Sequence, residues 1–197
     1  QESDAAGGRY PMVNQAISDG LQKGTLIWNY SGHGGFLRLA EEVVMDQTIV
    51  DSWQQNGRLP LFVTATCDFA PYDNPTLYSL GEYLLLKPAS GAIGLMTTTR
   101  LVFAFSNRIM NSNYLAKALE PLPGGRYRSL GEAVKAAKNA SFLSQGDLLN
   151  NLKFTLLGDP ALTLGFPRYG VQTDSINGRP VGSGADTIRA QQEVRIS

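Results

Sequence analysis

The chain has 197 residues, of which 43% are hydrophobic and 17% charged, the balance of a globular protein with one sizeable core rather than of a disordered segment. Its 17 Lys and Arg offset 17 Asp and Glu, and the basic residues are scattered, so the electrostatic footprint of a nucleic-acid binder is missing. No apolar run nears the roughly 18 residues of a membrane-spanning helix.

Residues 1–10 are polar and glycine-containing and read as a loose lead-in. The stretch 12–22 predicts a helix: Val13, Ile17 and Leu21 recur at every fourth position, and Gly24 follows as a stop. Residues 25–30 form a short apolar run of β-formers, a buried strand that stops at Ser31-Gly32-His33-Gly34-Gly35. A short helix over 47–55 closes at Asn56-Gly57. Residues 61–66 make a second buried strand, introduced by Pro60 and ending at Cys67, and 68–74 form a loop containing Pro71. Residues 79–86 predict a helix that stops before Pro88, and 91–97 a third strand. A helix over 106–119 has Ser106 as its cap. Ser129 and Glu132 have the spacing of a capping box, opening a helix that runs to about Phe142. A fourth strand spans 152–157, and Gly158-Asp159-Pro160 turns the chain.

Strands alternating with helices predict an α/β fold, a parallel sheet with helices on both faces. Strands covered on both sides read as apolar runs rather than as alternation. The composition shifts near Gly165, giving a domain over 1–165 and a tail over 166–197. Helical periodicity vanishes in the tail, and Asn177-Gly178 is a hairpin signal. The tail reads as a linker plus the opening strands of a β-sandwich-like module.

The chain has one His and one Cys, so an internal disulfide and a Cys-rich zinc site are excluded. One His, one Cys and nearby Asp68 or Asp73 make a poor metal ligand set, no phosphate-binding glycine motif is present, and no cofactor is expected. His33 and Cys67 each fall just past the carboxyl end of a predicted buried strand, where open parallel sheets build their binding crevices. A thiol attacks a carbonyl carbon as the thiolate, and an imidazole beside it can take its proton. The developing oxyanion needs donors, which the Gly34 and Cys67 N–H groups could supply. The alternatives are a Cys67 that is a small buried hydrophobe and a His33 that is a turn residue. Thr97, Thr98, Thr99 and Arg100 follow the third strand and either line a substrate pocket or begin a polar loop. Glu41-Glu42 reads as a solvated pair.

Residues 29–34, 59–67 and 154–162 together resemble the gingipain family of cysteine peptidases, which share the caspase-like fold. Within it the run 67–75 is most similar to the PorU-type sortases of the type IX secretion system. The resemblance runs from about Met12 to Pro167. It implies Cys67 as nucleophile, His33 as base, Gly34 and Cys67 as oxyanion donors, and residues 97–102 as a wall of the pocket before the scissile bond. It implies an enzyme at the outer membrane and cell surface of a Gram-negative bacterium. Its partners there would be secreted cargo carrying a C-terminal signal domain, anionic lipopolysaccharide and other type IX secretion components. The enzyme would remove the signal domain and join the new end to the lipopolysaccharide through a thioester. The other reading is a catalytically silent caspase-like scaffold that acts by protein–protein contact. The family carries strands and helices before the His-bearing strand, including an acidic residue that orients the His. This chain starts past them, so it is expected to have little activity by itself. An unpaired sheet edge would invite a second chain or a homodimer. The tail would open an immunoglobulin-like module.

Overall fold

A computed structural model describes residues 2–4, 7–166, 172–182 and 193–196. The chain forms two compact units, Gln1–Gly165 and Phe166–Ser197. The first opens with a hairpin of β1 (Glu2–Asp4) and β2 (Gly7–Arg9), antiparallel with Glu2 opposite Arg9, where the sequence predicted a loose lead-in. Helix α1 (Pro11–Lys23) starts with a proline, which has no N–H to leave unsatisfied there. It ends at Gly24, whose φ of 106° suits glycine.

The central sheet has four strands in the order β3 (Ile27–Ser31), β7 (Leu61–Ala65), β8 (Gly94–Thr98) and β9 (Phe154–Leu157). Strands β3, β7 and β8 are parallel, and every residue of β7 and β8 is buried. Side-chain alternation sorts the two faces. Phe62 and Leu95, paired across β7 and β8, join Leu21, Val50, Leu80 and Leu84 in one core cluster. Val50 belongs to α2 (Gln47–Asp51), and Leu80 and Leu84 to α3 (Leu80–Leu86). Trp28 and Tyr30 of β3 pack against the same cluster, and the Trp28 ring lies 4.9 Å from that of Phe62. Asn29, between them in sequence, points to the opposite face. There its amide exchanges hydrogen bonds with Asn111 of α4 (Ala104–Leu119), at 2.7 and 3.2 Å. Helix α4 packs on β3, on β7 and on α5 (Leu130–Gln145). Helices therefore cover both faces, as the sequence predicts, and the fold is the mostly parallel α/β arrangement.

The structure corrects the fourth strand. Residues 148–153 are helical, as α6 (Leu148–Lys153), because Asp147 accepts the Asn150 N–H and caps them. Only Phe154 onward is strand, and β9 runs antiparallel to β8, with Thr98 opposite Phe154. Helices α4 and α5 form a side-by-side pair that carries the chain away from the rim where β8 ends and back to it. The next strand must then run in the opposite direction. The cap of α4 also differs. The helix starts at Ala104, Phe103 caps it without a side-chain bond, and Ser106 instead donates to Asp147 at 2.5 Å. The capping box of Ser129 and Glu132 forms as predicted, and α5 ends on left-handed Gly146.

After β3 the chain makes a small antiparallel sheet of β4 (Gly34–Gly35), β5 (Arg38–Leu39) and β6 (Met45–Asp46). In the second unit, β10 (Ser175–Ile176) and β11 (Arg179–Pro180) pair around Asn177-Gly178, the hairpin the sequence signals. Of the second β-like stretch of the tail, 185–197, only 193–196 are described, and there Ile196 makes an isolated antiparallel bridge to Ile176. No helix among the described residues is long and apolar enough to cross a membrane.

Gly91 fixes the entry to β8. The buried Gln55 side chain bonds the Gly91 carbonyl at 3.0 Å and accepts from its N–H and from the Ser90 hydroxyl. Gly91 has a φ of 95°, and a Cβ there would lie 2.1 Å from the Leu84 carbonyl oxygen, a backbone atom that cannot move aside. Gly91→Ala is expected to destabilise the first unit by roughly 2–4 kcal/mol, read as a lower urea midpoint at unchanged slope. An unaltered midpoint would contradict this account of the turn.

Candidate active site

Strands β3 and β7 pair in parallel with Ile27 opposite Leu61 and Ser31 opposite Ala65. The Gly32 N–H reaches the Ala65 carbonyl at 3.4 Å, extending the pairing one step. His33 and Cys67 each lie two residues past the last registered pair, at the same carboxyl rim of neighbouring strands. Parallel strands sit about 4.8 Å apart, so the topology brings the one imidazole and the one thiol to one edge.

Two bonds fix the His33 turn through its main chain. The His33 carbonyl accepts the Tyr30 hydroxyl at 2.6 Å and the Ala40 N–H at 2.9 Å. Burial raises the Tyr30 pKa, which keeps the phenol protonated and able to donate. His33 is exposed. It opens on a recess of about 790 Å³ shared with Tyr30, Gly34, Arg38, Glu41 and Glu42. Cys67 lies outside that lining. The Glu41-Glu42 pair, read from sequence as merely solvated, thus faces the same recess as His33. Glu41 makes an exposed ion pair with Arg38 at 3.7 Å.

Gly34 follows His33 in β4. The bond from Ala40 to His33 makes those two a hydrogen-bonded pair of the β4–β5 ladder. Alternation then leaves Gly34, opposite Leu39, as a non-hydrogen-bonded residue whose N–H points away from the ladder. A Cβ at Gly34 would lie 2.6 Å from the Thr66 hydroxyl oxygen and 2.9 Å from Leu39 Cδ2, so glycine lets β4 approach the end of β7.

Cys67 is half-buried and free, and its thiol donates to the Val102 carbonyl at 3.6 Å. Asp68 turns the chain at a φ of 44°, in the left-handed region that Asp tolerates better than most residues. The segment is stitched to the end of β8. The Asp68 N–H donates to the Arg100 carbonyl at 3.3 Å, the Ala70 N–H to Thr98 at 2.9 Å, and the Thr98 hydroxyl to the Thr66 carbonyl. Among the described residues the Cys67 N–H has no protein acceptor.

The four residues expected to wall the substrate pocket separate into two pairs. Thr97 and Thr98 are wholly buried, because β8 continues to Thr98 and keeps both inside the ladder opposite Thr155 and Phe154. The Thr97 hydroxyl bonds Thr64 across the sheet at 2.6 Å. Neither side chain can touch a substrate. Thr99 and Arg100 do reach a surface recess of about 440 Å³, with Phe36, Asp68, Asp73 and Leu77. Arg100 grips Asp73 with two parallel bonds of 2.8 and 2.6 Å. Two residues hold the site in ways the sequence did not show: Tyr30, quoted only as part of a motif, braces the His33 carbonyl, and Val102, expected in the pocket wall, takes the thiol through its backbone carbonyl.

Tyr30→Phe removes one donor from the His33 turn and is expected to cost about 1 kcal/mol, measured by urea unfolding; an unchanged stability would contradict the brace. The Arg100 guanidinium lowers the Asp73 pKa. A depressed carboxylate contributes stability that is present above about pH 4 and lost as pH falls through the lower folded value. Asp73→Asn is therefore expected to flatten the acid limb of loop stability, followed by limited proteolysis across pH 2–6. An acid limb as steep as in the wild type would contradict that role.

No curated protein matches the chain in sequence. Among solved structures, the chain is similar to the Arg-specific cysteine proteinase gingipain R (RgpB). The TM-score is 0.67 at 18% identity, over 77% of this chain and 36% of that one. The complex of Porphyromonas gingivalis RgpB pro- and mature domains matches equally, at 0.67 and 18%, over 77% and 37%. A third structure, described only as a protease, matches at 0.59 and 14%, over 90% and 42%. The chain thus spans little more than a third of the length of the first two structures, and at these identities the likeness is one of fold. The sequence pattern that defines peptidase family C25 covers residues 1–165, more than four-fifths of the chain, and by that match the chain belongs to peptidase family C25.

Proposed function

We propose that the protein containing this chain is a cysteine peptidase with Cys67 as nucleophile and His33 as base. The observation that carries this reading is the register of β3 and β7, which ends both strands at one rim, two residues before each side chain. Membership of peptidase family C25 supports it.

His33 takes the Cys67 thiol proton, and the sulfur attacks the substrate carbonyl carbon. The carbonyl oxygen becomes an oxyanion within reach of the Gly34 and Cys67 N–H groups. The C–N bond then breaks, the imidazolium returns its proton to the leaving amine, and the acyl group remains on sulfur as a thioester. Water or a second amine attacks that thioester to complete hydrolysis or transfer.

The finer reading is transfer. The run 67–75 resembles the sortases of type IX secretion, so the substrate is secreted cargo with a C-terminal signal domain. The acceptor is an anionic lipopolysaccharide at the outer membrane. Strand β3 pairs only with β7 among the described residues, which supports a further strand or a second chain on its open edge.

In the full-length protein Cys67→Ala is expected to abolish cargo processing, and His33→Ala to slow it by about 10²–10⁴-fold, with both variants folded by circular dichroism. A silent scaffold would keep its function in both. Undiminished processing by Cys67→Ala would end the peptidase reading.

A further inference from the structure

The thiol of Cys67 does not stand against a side chain; its acceptor is the main chain of a connecting segment. The Val102 carbonyl takes the bond at 3.6 Å, in the stretch between β8 and α4. That stretch is an exposed surface: Leu101 and Phe103 are 68% and 69% accessible. Neither residue is buried, so core packing does not hold the carbonyl in place.

What holds it is α6, the short helix that replaces the expected start of the fourth strand. Asn150 is 2% accessible, and its carboxamide oxygen accepts the Phe103 N–H at 3.1 Å. Phe103 N–H and Val102 C=O belong to the same peptide unit, which is planar. Fixing the one therefore fixes the other. The cap of α6 reinforces the grip from both sides. Asp147 accepts the Asn150 N–H at 3.0 Å and the Ser106 hydroxyl at 2.5 Å, and the Lys153 ammonium lies 5.2 Å from the centre of the Phe103 ring. Three residues of one six-residue helix and its cap thus close on residues 103–106.

We propose that Asn150 is a positioning residue for Cys67: through the 102–103 peptide it sets the carbonyl that orients the thiol. The peptidase reading gives this its functional meaning, but the geometry concerns the thiol alone. With the carbonyl held, the sulfur has one preferred direction, and an electrophile must displace the S–H bond to reach it. With Asn150 removed, the peptide unit turns, the S–H bond loosens, and the sulfur meets a small electrophile more freely.

The test is the rate at which iodoacetamide alkylates Cys67 in the full-length protein, located by peptide mass spectrometry. Asn150→Leu keeps the bulk and loses the acceptor. It is expected to label about 3- to 10-fold faster than the wild type, the ratio expected for losing one hydrogen bond of ordinary net strength. Asn150→Asp keeps an acceptor oxygen and is expected to label within about twofold of the wild type. The faster labelling should not change with urea up to about 1 M, since it belongs to the native state. A merely destabilised protein would label faster as urea rises, and that result overturns the proposal. So does wild-type labelling by Asn150→Leu, or equal acceleration by Asn150→Asp. Should Asn150→Leu fail to fold, Phe103→Pro removes the donor from an exposed position and must satisfy the same rate and urea criteria. Failure of the peptidase reading is separate: it would appear as cargo processing by Cys67→Ala, whatever Asn150→Leu does to the labelling rate.

Discussion

The parallel pairing of β3 with β7 is the constraint on which the rest of the molecule depends. It is set by burial rather than by the site. All of β7 is inside, with Phe62 on one face and Val63 on the other, and Trp28 and Asn29 of β3 divide the same way. A slip of one residue would turn the Trp28 ring away from Phe62 and drive Asn29 into the apolar cluster. The core therefore determines where both strands end. His33 and Cys67 inherit their places at one rim from that register, without any bond between them being needed to build the fold.

Beyond the strand ends the ladder no longer holds the chain, and side chains take over. The Tyr30 hydroxyl crosses three residues to hold the His33 carbonyl, and the Thr98 hydroxyl holds that of Thr66. Ala40, Val43 and Asp68 adopt positive φ in these rim segments, a cost that tertiary contacts must offset. The rim is thus a set of turns that would not keep their shape in isolation. At His33 the main chain is held while the residue stays exposed, and at Cys67 the thiol itself is held, by the Val102 carbonyl.

Much of the fold was legible because it follows local rules. The spacing of Val13, Ile17 and Leu21, the Ser129–Glu132 pair and the Asn177-Gly178 turn each specify their element within a few residues. The two-residue strands of 34–46 were not legible, since they are too short to carry a period. The direction of β9 was hidden because it depends on the α4–α5 pair returning the chain to the rim it left. Helix α6 was hidden because its leucines imitate a strand, and only Asp147 at its head marks a cap. Within the site, His33 and Cys67 stood out as the single residues of their types. The destinations of Thr97 and Thr98 could not be read, because both faces of β8 are covered and the strand continues one residue past its predicted end, to Thr98.

The most direct measurement uses the fact that the chain has one histidine and one cysteine. Cys67 is converted to a small methyl disulfide, and the His33 ring signals are followed by NMR through a pH titration before and after. If the two side chains share one rim, the modification must displace the His33 signals and their titration curve. Superimposable curves in the two states would place the thiol and the imidazole apart and contradict the account.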